Sequence, residues 1–399
     1  MFSKIDPYHF LKMSQALLDE ERRKHEKPTT TPTQAAQLAA SIYNINSTTP
    51  PKSLDSYDDR NFYISPSTNN TNLPYLFKVH NGVESDNLPI LQAQNAMMKY
   101  LTSKGFQCST PVESLNGKTI EYTTTPQRRF AVRVLSWVKG STLNSLEPTF
   151  ERLLLSGRYL GQLRSELDSF DHPGCHREHL WDIRETLGLR RFLHALDTAP
   201  TVQAVAKDVV DTFESIKDTM DRLKWGTLQA DFNDANIIFD AKGTYVVGVI
   251  DFGDIVYSNR INDVAIAMAY SMLKPPKGMT RPETAAALLQ GYCETMDIDK
   301  DELSVLRTLV ACRLATSVTL GAYSSMQDTS GNAYLQLHAQ PGRVALCAFW
   351  NAPKELVNKL FQEASEKGMI VGAQKKTGRN ILMGGAIVCV ATALFGMVF

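Results

Sequence analysis

Asp231 and Asn236 stand five residues apart in Leu228-Gln-Ala-Asp-Phe-Asn-Asp-Ala-Asn-Ile-Ile-Phe-Asp240, and Val249-Ile-Asp-Phe-Gly-Asp254 follows closely. Ile237 to Phe239 reads as a short apolar strand, Ala241 to Gly243 as a turn, and Tyr245 to Ile250 as a returning strand. In an antiparallel pair the start of one strand lies beside the end of the other. Asn236 and Asp251 are therefore expected to meet, with Asp231 just before them. Oxygen-bearing side chains gathered in this way suit Mg²⁺ with a nucleotide, because the ion takes hard oxygen ligands and keeps positions for water and phosphate. Aspartate with asparagine at plus five is also the spacing of a phosphoryl-transfer catalytic loop. Any one of these aspartates alone reads as a turn or cap residue; their joint occurrence carries the chemistry.

A second element supports it. In Tyr75-Leu-Phe-Lys-Val79 the lysine is flanked by apolar residues in a β-type run, where Lys78 can pair with nucleotide phosphates. The chain has no GxGxxG and no GxxxxGK, which excludes a Rossmann site and a P-loop.

These residues need two bodies to hold them. Short β-type runs at Asn61 to Ser65, Tyr75 to His80, Thr119 to Thr124 and Phe130 to Leu135, with one helical stretch at Leu88 to Lys104, predict a small α+β lobe. From Thr142 onward the periodicity is helical, at Phe150 to Phe170, Leu180 to Leu196, Val202 to Lys224, Asn262 to Leu273, Arg281 to Thr295, Asp301 to Tyr323 and Pro353 to Lys367. The segment Asn236 to Ile250 is expected as the single β interruption. The fold class is thus α+β and bilobal. Its divisions are an N-terminal charged helix at 1–28, a nucleotide-binding lobe at 29–136, a catalytic and substrate-binding lobe at 137–370, and a tail at 381–399. Asp6-Pro7 reads as the cap and first residue of the opening helix, which extends from about Tyr8 to Lys27.

Lysine plus arginine equals aspartate plus glutamate at 42 each in 399 residues. The balance leaves no electrostatic footprint for nucleic acid. The six cysteines form no CxxC pair, which points to reduced thiols facing the cytosol rather than zinc or a disulfide framework. Ile381 to Phe399 carries no charge and follows Lys375, Lys376 and Arg379. Its length as a helix is about 28 Å, close to a hydrocarbon core. A docked helix would keep a polar stripe, and Thr392 is its one conventional polar side chain. A tail anchor in an intracellular membrane is expected, with the body on the cytosolic side; without a membrane span the chain would lie in the soluble cytoplasm.

The chain resembles the aminoglycoside-phosphotransferase and choline-kinase superfamily, and within it the hydroxylysine-kinase group. The carrying residues are Ser56-Tyr-Asp-Asp-Arg-Asn-Phe62, Phe77-Lys-Val79, Gln94-Asn95, Asp231-Phe-Asn-Asp-Ala-Asn-Ile237, Asp251-Phe-Gly-Asp254 and Ala322-Tyr-Ser324. The resemblance implies a protein-kinase-like fold and γ-phosphate transfer from GTP or ATP to an amino-acid or amino-alcohol hydroxyl, with 5-hydroxylysine the leading acceptor. It makes Asp231 the catalytic base, Asn236 and Asp251 the Mg²⁺ ligands, and Lys78 a phosphate contact. It also places the loop around Asp58 to Asn61, with Asp59 and Asn61, over the phosphates, and makes Leu135 to Val138, with Trp137, the hinge that receives the purine.

Asp254 could meet a substrate ammonium or cap the segment after it. Arg313, on an apolar helix, needs a partner: a substrate carboxylate or an internal acid. Asp263 is expected to cap its helix and brace the catalytic loop. Spacing puts Gln92, not a glutamate, where a helical partner for Lys78 is expected, with Glu84 in a nearby loop. Gln229-Ala230 replaces His-Gly before Asp231, and the alanine costs little unless that backbone needs a positive φ. These departures motivate a second reading, a catalytically impaired pseudoenzyme serving as a membrane-tethered scaffold.

Overall fold

Phe77 and Val79 bury one face of strand β3 (Tyr75–Val79), so the pleat sends Lys78 to the other face, toward a cleft. In this computed structural model the residues described are 14–47, 49–66, 73–126, 128–327 and 339–395, the side chains of Ala339 and 376–395 excepted. β3 is central in an antiparallel sheet with β1 (Lys52–Leu54), β2 (Arg60–Ile64), β5 (Glu121–Thr124) and β6 (Arg129–Ser136), in the order β1-β2-β3-β6-β5. The same alternation runs through β6: Phe130, Val132 and Val134 join the cluster with Phe77, while Leu135 joins the main core and Arg133 points toward helix α4. The Phe77 face is covered by helix α2 (Pro32–Tyr43), which a Thr31–Gln34 capping box starts, through Ala35, Ala39 and Tyr43. The other face meets α4 (Leu88–Ser103), preceded by a single short helix, α3 (Gly82–Asp86). Helix α1 spans Gln15–His25 with Ser14 as its cap; the expected cap at Asp6-Pro7 lies outside the described residues.

The second lobe is mainly helical, with α5 (Phe150–Leu167), α6 (Pro200–Met220), α7 (Ile261–Ser271), α8 (Arg281–Tyr292), α9 (Lys300–Gln327), α10 (Ala339–Trp350) and α11 (Lys354–Phe395). Among the described residues α9 alone is long and apolar enough to cross a membrane, and it is the buried centre of this bundle. The fold is α+β, a β-rich N-terminal lobe joined to a helical one.

Two expectations are corrected. Leu180 to Leu196 is not α-helical but forms 3₁₀ segments at Ile183–Arg191 and Leu193–Leu196. The reason is the spacing of buried residues: Ile183, Thr186, Leu189, Phe192 and Ala195 recur every third position, the period of a 3₁₀ helix. Nor does one hairpin alone interrupt the helices. β9 (Ile237–Phe239) and β10 (Val246–Val249) form it, flanked by β4 (Gln107–Cys108) and β7 (Ser141–Thr142). Separately, β8 (Trp225–Leu228) pairs antiparallel with β11 (Val256–Asn259).

Helix α11 packs on α8 through Gly368 and Gly372, where a Cβ would come within 2.3 Å of the Gln290 and Glu294 carbonyls. Lys375 then pairs with Glu294. The helix continues as far as Phe395, so Ile381 onward extends an element anchored on the body; its side chains, and residues 396–399, lie outside the described set.

Candidate active site

β8 delivers Gln229, Ala230 and Asp231 to the cleft. Ala230 sits in the left-handed region with φ 63°. This is the positive φ that the sequence comparison left open, and an alanine there costs about 1–2 kcal/mol. The conformation is held by Asp263, buried at the start of α7, whose Oδ1 accepts from the Ala230 amide at 2.9 Å while Oδ2 lies 3.4 Å from Arg164. Asp263 thus braces the loop; the residue at the helix cap is Arg260. Ala230→Gly is expected to raise stability by about 0.5 kcal/mol, the released strain outweighing the unfolded-state entropy of glycine; urea denaturation would register it as a higher midpoint at unchanged slope.

Gln229 ties the two halves of the site together. Its Nε2 donates to the Asp251 carbonyl at 2.5 Å and its Oε1 accepts from the Asp231 amide at 2.9 Å. Asn233 Oδ1 accepts from the amides of Ala235 and Asn236, shaping the turn. The hairpin register pairs Ile237 with Val249 and brings the Ile250 amide 2.9 Å from the Asn236 carbonyl. Asn236 Nδ2 donates to Asp231 Oδ2 at 2.7 Å, leaving its Oδ1 as an acceptor. Asp251, also at positive φ, accepts from the Gly253 amide with Oδ1 and is half-exposed in the cleft.

Lys78 Nζ lies 3.1 Å from Asp59 Oδ2 and 3.8 Å from Asp251 Oδ1. Burial opposes its charge, but the two carboxylates prevail and raise its pKa. The expected geometry is corrected here. Gln92 is on the exposed side of α4, one position out of phase with the buried Leu91, Ala93 and Gln94. Asp59 is the lysine's partner instead, itself fixed by two donors from Asn81 at 2.8 Å each. Its bonds to Lys78 and Asn81 make it a holder of the lysine. Glu84 is in α3, not a loop, and pairs with Arg23 at 2.8 Å.

Asp231 Oδ1 lies 2.9 Å from Arg313 Nη2, and Arg313 Nη1 donates to the Trp181 carbonyl. Asp254 faces His179 at 3.1 Å and Arg313 at 3.8 Å. Burial and the Asp254 carboxylate push Asp231 up to about 8 against Arg313. Burial acts on Asp254 too, but the hydrogen bond from His179 and the charge of Arg313 overcome it and hold this carboxyl below the usual range. The two aspartates are therefore set apart, one easily protonated and one firmly ionised.

Two cavities meet at this point. One, of about 250 Å³, is mainly apolar and is lined by Leu76, Met98, Leu135, Trp137, Val138 and Ile238, together with Asn236 and Asp251. The other, of about 190 Å³, is charged and holds Asp231, Asp254 and Arg313. Asp55, Asn61, Lys78, Gln94, Asp251 and Gly253 belong to both. Arg133 also lines the apolar slot, bonded to Gln94, Asn95 and His80, and burial lowers it to about 10. Every residue expected at the site thus lies on one of the two cavities. His179, Trp181, Tyr57, Arg133 and Arg23 were not expected there. Of these, Tyr57 lies within Ser56 to Phe62, one of the segments that carry the family resemblance.

Among the described residues no three His, Cys, Asp or Glu side chains cluster as a metal site. The donors that converge are one carboxylate, Asp251, and one amide oxygen, Asn236. Such a set fits Mg²⁺, which draws its remaining ligands from water and phosphate.

The model of the phosphotransferase enzyme family matches residues 52–305. Hydroxylysine kinase of Xenopus laevis is 28% identical over 363 residues, 86% of this chain and 96% of that protein. The Danio rerio hydroxylysine kinase is 25% identical, covering 86% and 98%. Amicoumacin kinase of Bacillus subtilis (strain 168) is 23% identical over 61% of this chain and 72% of its own length. Among solved structures, an amicoumacin kinase in complex with AMP-PNP, Ca²⁺ and Ami superposes with a TM-score of 0.60 at 17% identity, over 83% of this chain and 94% of the other. A microcompartment-associated aminopropanol kinase gives 0.55 at 14%, over 84% and 98%.

Proposed function

The chain belongs to the phosphotransferase enzyme family, and from that premise we propose that it transfers the γ-phosphate of GTP or ATP to a hydroxyl of an amino-acid-like or amino-alcohol acceptor, 5-hydroxylysine first among them. The observation that carries this reading is the junction of an apolar slot and a charged cavity at Lys78 and Asp251, with Asp231 facing it. The slot suits a purine entering past Trp137, and Lys78 suits the phosphates at its inner end. The charged cavity is lined by seven carboxylates against three full cations (Arg23, Lys78, Arg313), which favours an acceptor rich in ammonium groups. The relatives named hydroxylysine kinase support the choice of acceptor.

In this reading Asp231 accepts the acceptor's hydroxyl proton as the oxygen bonds to the γ-phosphorus and the bond to the bridging oxygen of the leaving diphosphate breaks. Asn236 and Arg313 each hold one oxygen of that carboxylate, so its aim is fixed before the acceptor arrives. Asp254 offers the acceptor's ammonium a permanent negative charge. Asn236 and Asp251 would hold Mg²⁺, which when bound neutralises phosphate charge. The pairing of Lys78 with Asp59 removes the main ground for the scaffold reading, since the lysine does not depend on Gln92.

Release of GDP or ADP with 5-hydroxylysine, choline, ethanolamine and homoserine tests the proposal. Turnover is expected to be highest with 5-hydroxylysine; release stimulated by none of the four would defeat it. We also propose, from the uncharged run Ile381 to Phe399, that the chain is tail-anchored in an intracellular membrane with its body in the cytosol. Deleting that run is expected to move the protein from the membrane to the soluble fraction, and unchanged fractionation would refute the anchor.

A further inference from the structure

Helix α1, which precedes the matched family region, reaches the charged cavity through one side chain, Arg23. The helix is fixed on both sides of the cleft: Arg22 pairs with Asp86 and Glu26 with Arg128 on the first lobe, and Glu21 with Arg191 on the second. Lys24 and Lys27 hold Asp58, in the loop that also carries Asp59. Arg23 is therefore presented by a docked element.

Its bonding is incomplete. Arg23 is 5% exposed, and Nη2 donates to Glu84 Oε1 at 2.8 Å. Nη1 has no hydrogen-bond partner, Glu20 Oε2 standing 3.7 Å away. Glu84, 7% exposed, likewise has Oε2 without a partner. Arginines elsewhere, Arg128 and Arg164 among them, also keep a buried nitrogen open; what sets Arg23 and Glu84 apart is that both line the charged cavity. The complement of this pair is a carboxylate beside an ammonium. Arg313, the other arginine of the cavity, is already committed to Asp231 and the Trp181 carbonyl.

We infer that Arg23 and Glu84 read the α-carboxylate and α-ammonium of an amino-acid acceptor whose hydroxyl lies against Asp231. The inference rests on the kinase reading above and adds to it a specificity determinant supplied by the N-terminal helix. The planar guanidinium fork matches a carboxylate in a way lysine does not.

The test compares 5-hydroxylysine with its decarboxylated counterpart, using the full chain. In Arg23→Gln the ratio of their kcat/KM values is expected to fall roughly tenfold to a hundredfold, the size of a lost charged hydrogen bond, through KM for 5-hydroxylysine with kcat retained. Arg23→Lys, which keeps the charge and the ion pair, is expected to lower the ratio less and serves if the glutamine variant does not fold. Glu84→Gln is expected to weaken both acceptors alike. A ratio unchanged in both Arg23 variants, or an equal loss for both acceptors, overturns the assignment.

Calorimetry with L-lysine and cadaverine separates this from the choice of acceptor. Should the wild type phosphorylate neither compound yet bind lysine in preference to cadaverine, with the preference lost in the Arg23 variants, the carboxylate site stands and the acceptor assignment fails. A wild type that binds both diamines equally sinks the site itself.

Discussion

Asp231→Asn is expected to lower kcat by about a thousandfold or more, the scale of a lost general base in an otherwise intact site, while nucleotide affinity stays within about a factor of two. The amide keeps an oxygen for Arg313 Nη2, which still holds the side chain, while its nitrogen gives up the bond that Asn236 Nδ2 donates to Asp231. What disappears is the capacity to take a proton. Isothermal titration with a non-hydrolysable nucleotide, alongside steady-state turnover, separates the two effects. A variant retaining a tenth of the activity would remove Asp231 from the chemistry.

The same carboxyl sets a pH dependence. In the free protein burial and Asp254 push it up to about 8, and only its ionised form accepts a proton. kcat/KM, which reports the free enzyme, is therefore expected to fall as pH drops through that value, tending to a tenfold loss per unit. In Asp231→Asn the residual activity loses this acidic limb. A limb that persists in the variant belongs to another group.

Asp263→Ala is expected to destabilise the protein by about 3 kcal/mol, because it takes from the fully buried Arg164 one of its two carboxylates, leaving Asp168 at 3.3 Å, and opens the Ala230 amide. Thermal unfolding would show this as a drop of about 4 °C in Tm. Activity is expected to fall with it, since the strained backbone that aims Asp231 is no longer pinned. Asp263→Asn, which retains an acceptor oxygen for Ala230, is expected to be milder. Combining Asp263→Ala with Arg164→Met is expected to recover part of the stability but not the activity, because removing both charges ends the desolvation cost without restoring the brace. Equal recovery of both would mean that Asp263 serves the core alone.

Much of the site was legible because its parts are close in sequence or follow from strand geometry. The spacing of Asp231, Asn236 and Asp251 determined their meeting, since a tight antiparallel hairpin has few ways to close. The alternation around Lys78 determined which way the lysine faces. The switch from strand to helix texture near Thr142 determined two bodies of different class.

The electrostatic partners were settled elsewhere. Lys78 takes Asp59 because the phase of α4 turns Gln92 outward. Asp231 takes Arg313 from 82 residues away, and Asp254 takes His179 from 75 away. The turn at Ala230 needed β8 and β11 to pair and Asp263 to reach across. Period and spacing encode short-range geometry; which charge faces which across a cleft depends on how buried helices pack, and a single helix's periodicity carries no record of its neighbours. Sequence alone thus determined the chemistry this protein can perform, and tertiary packing decided what holds each of its reacting groups and how strongly it is charged.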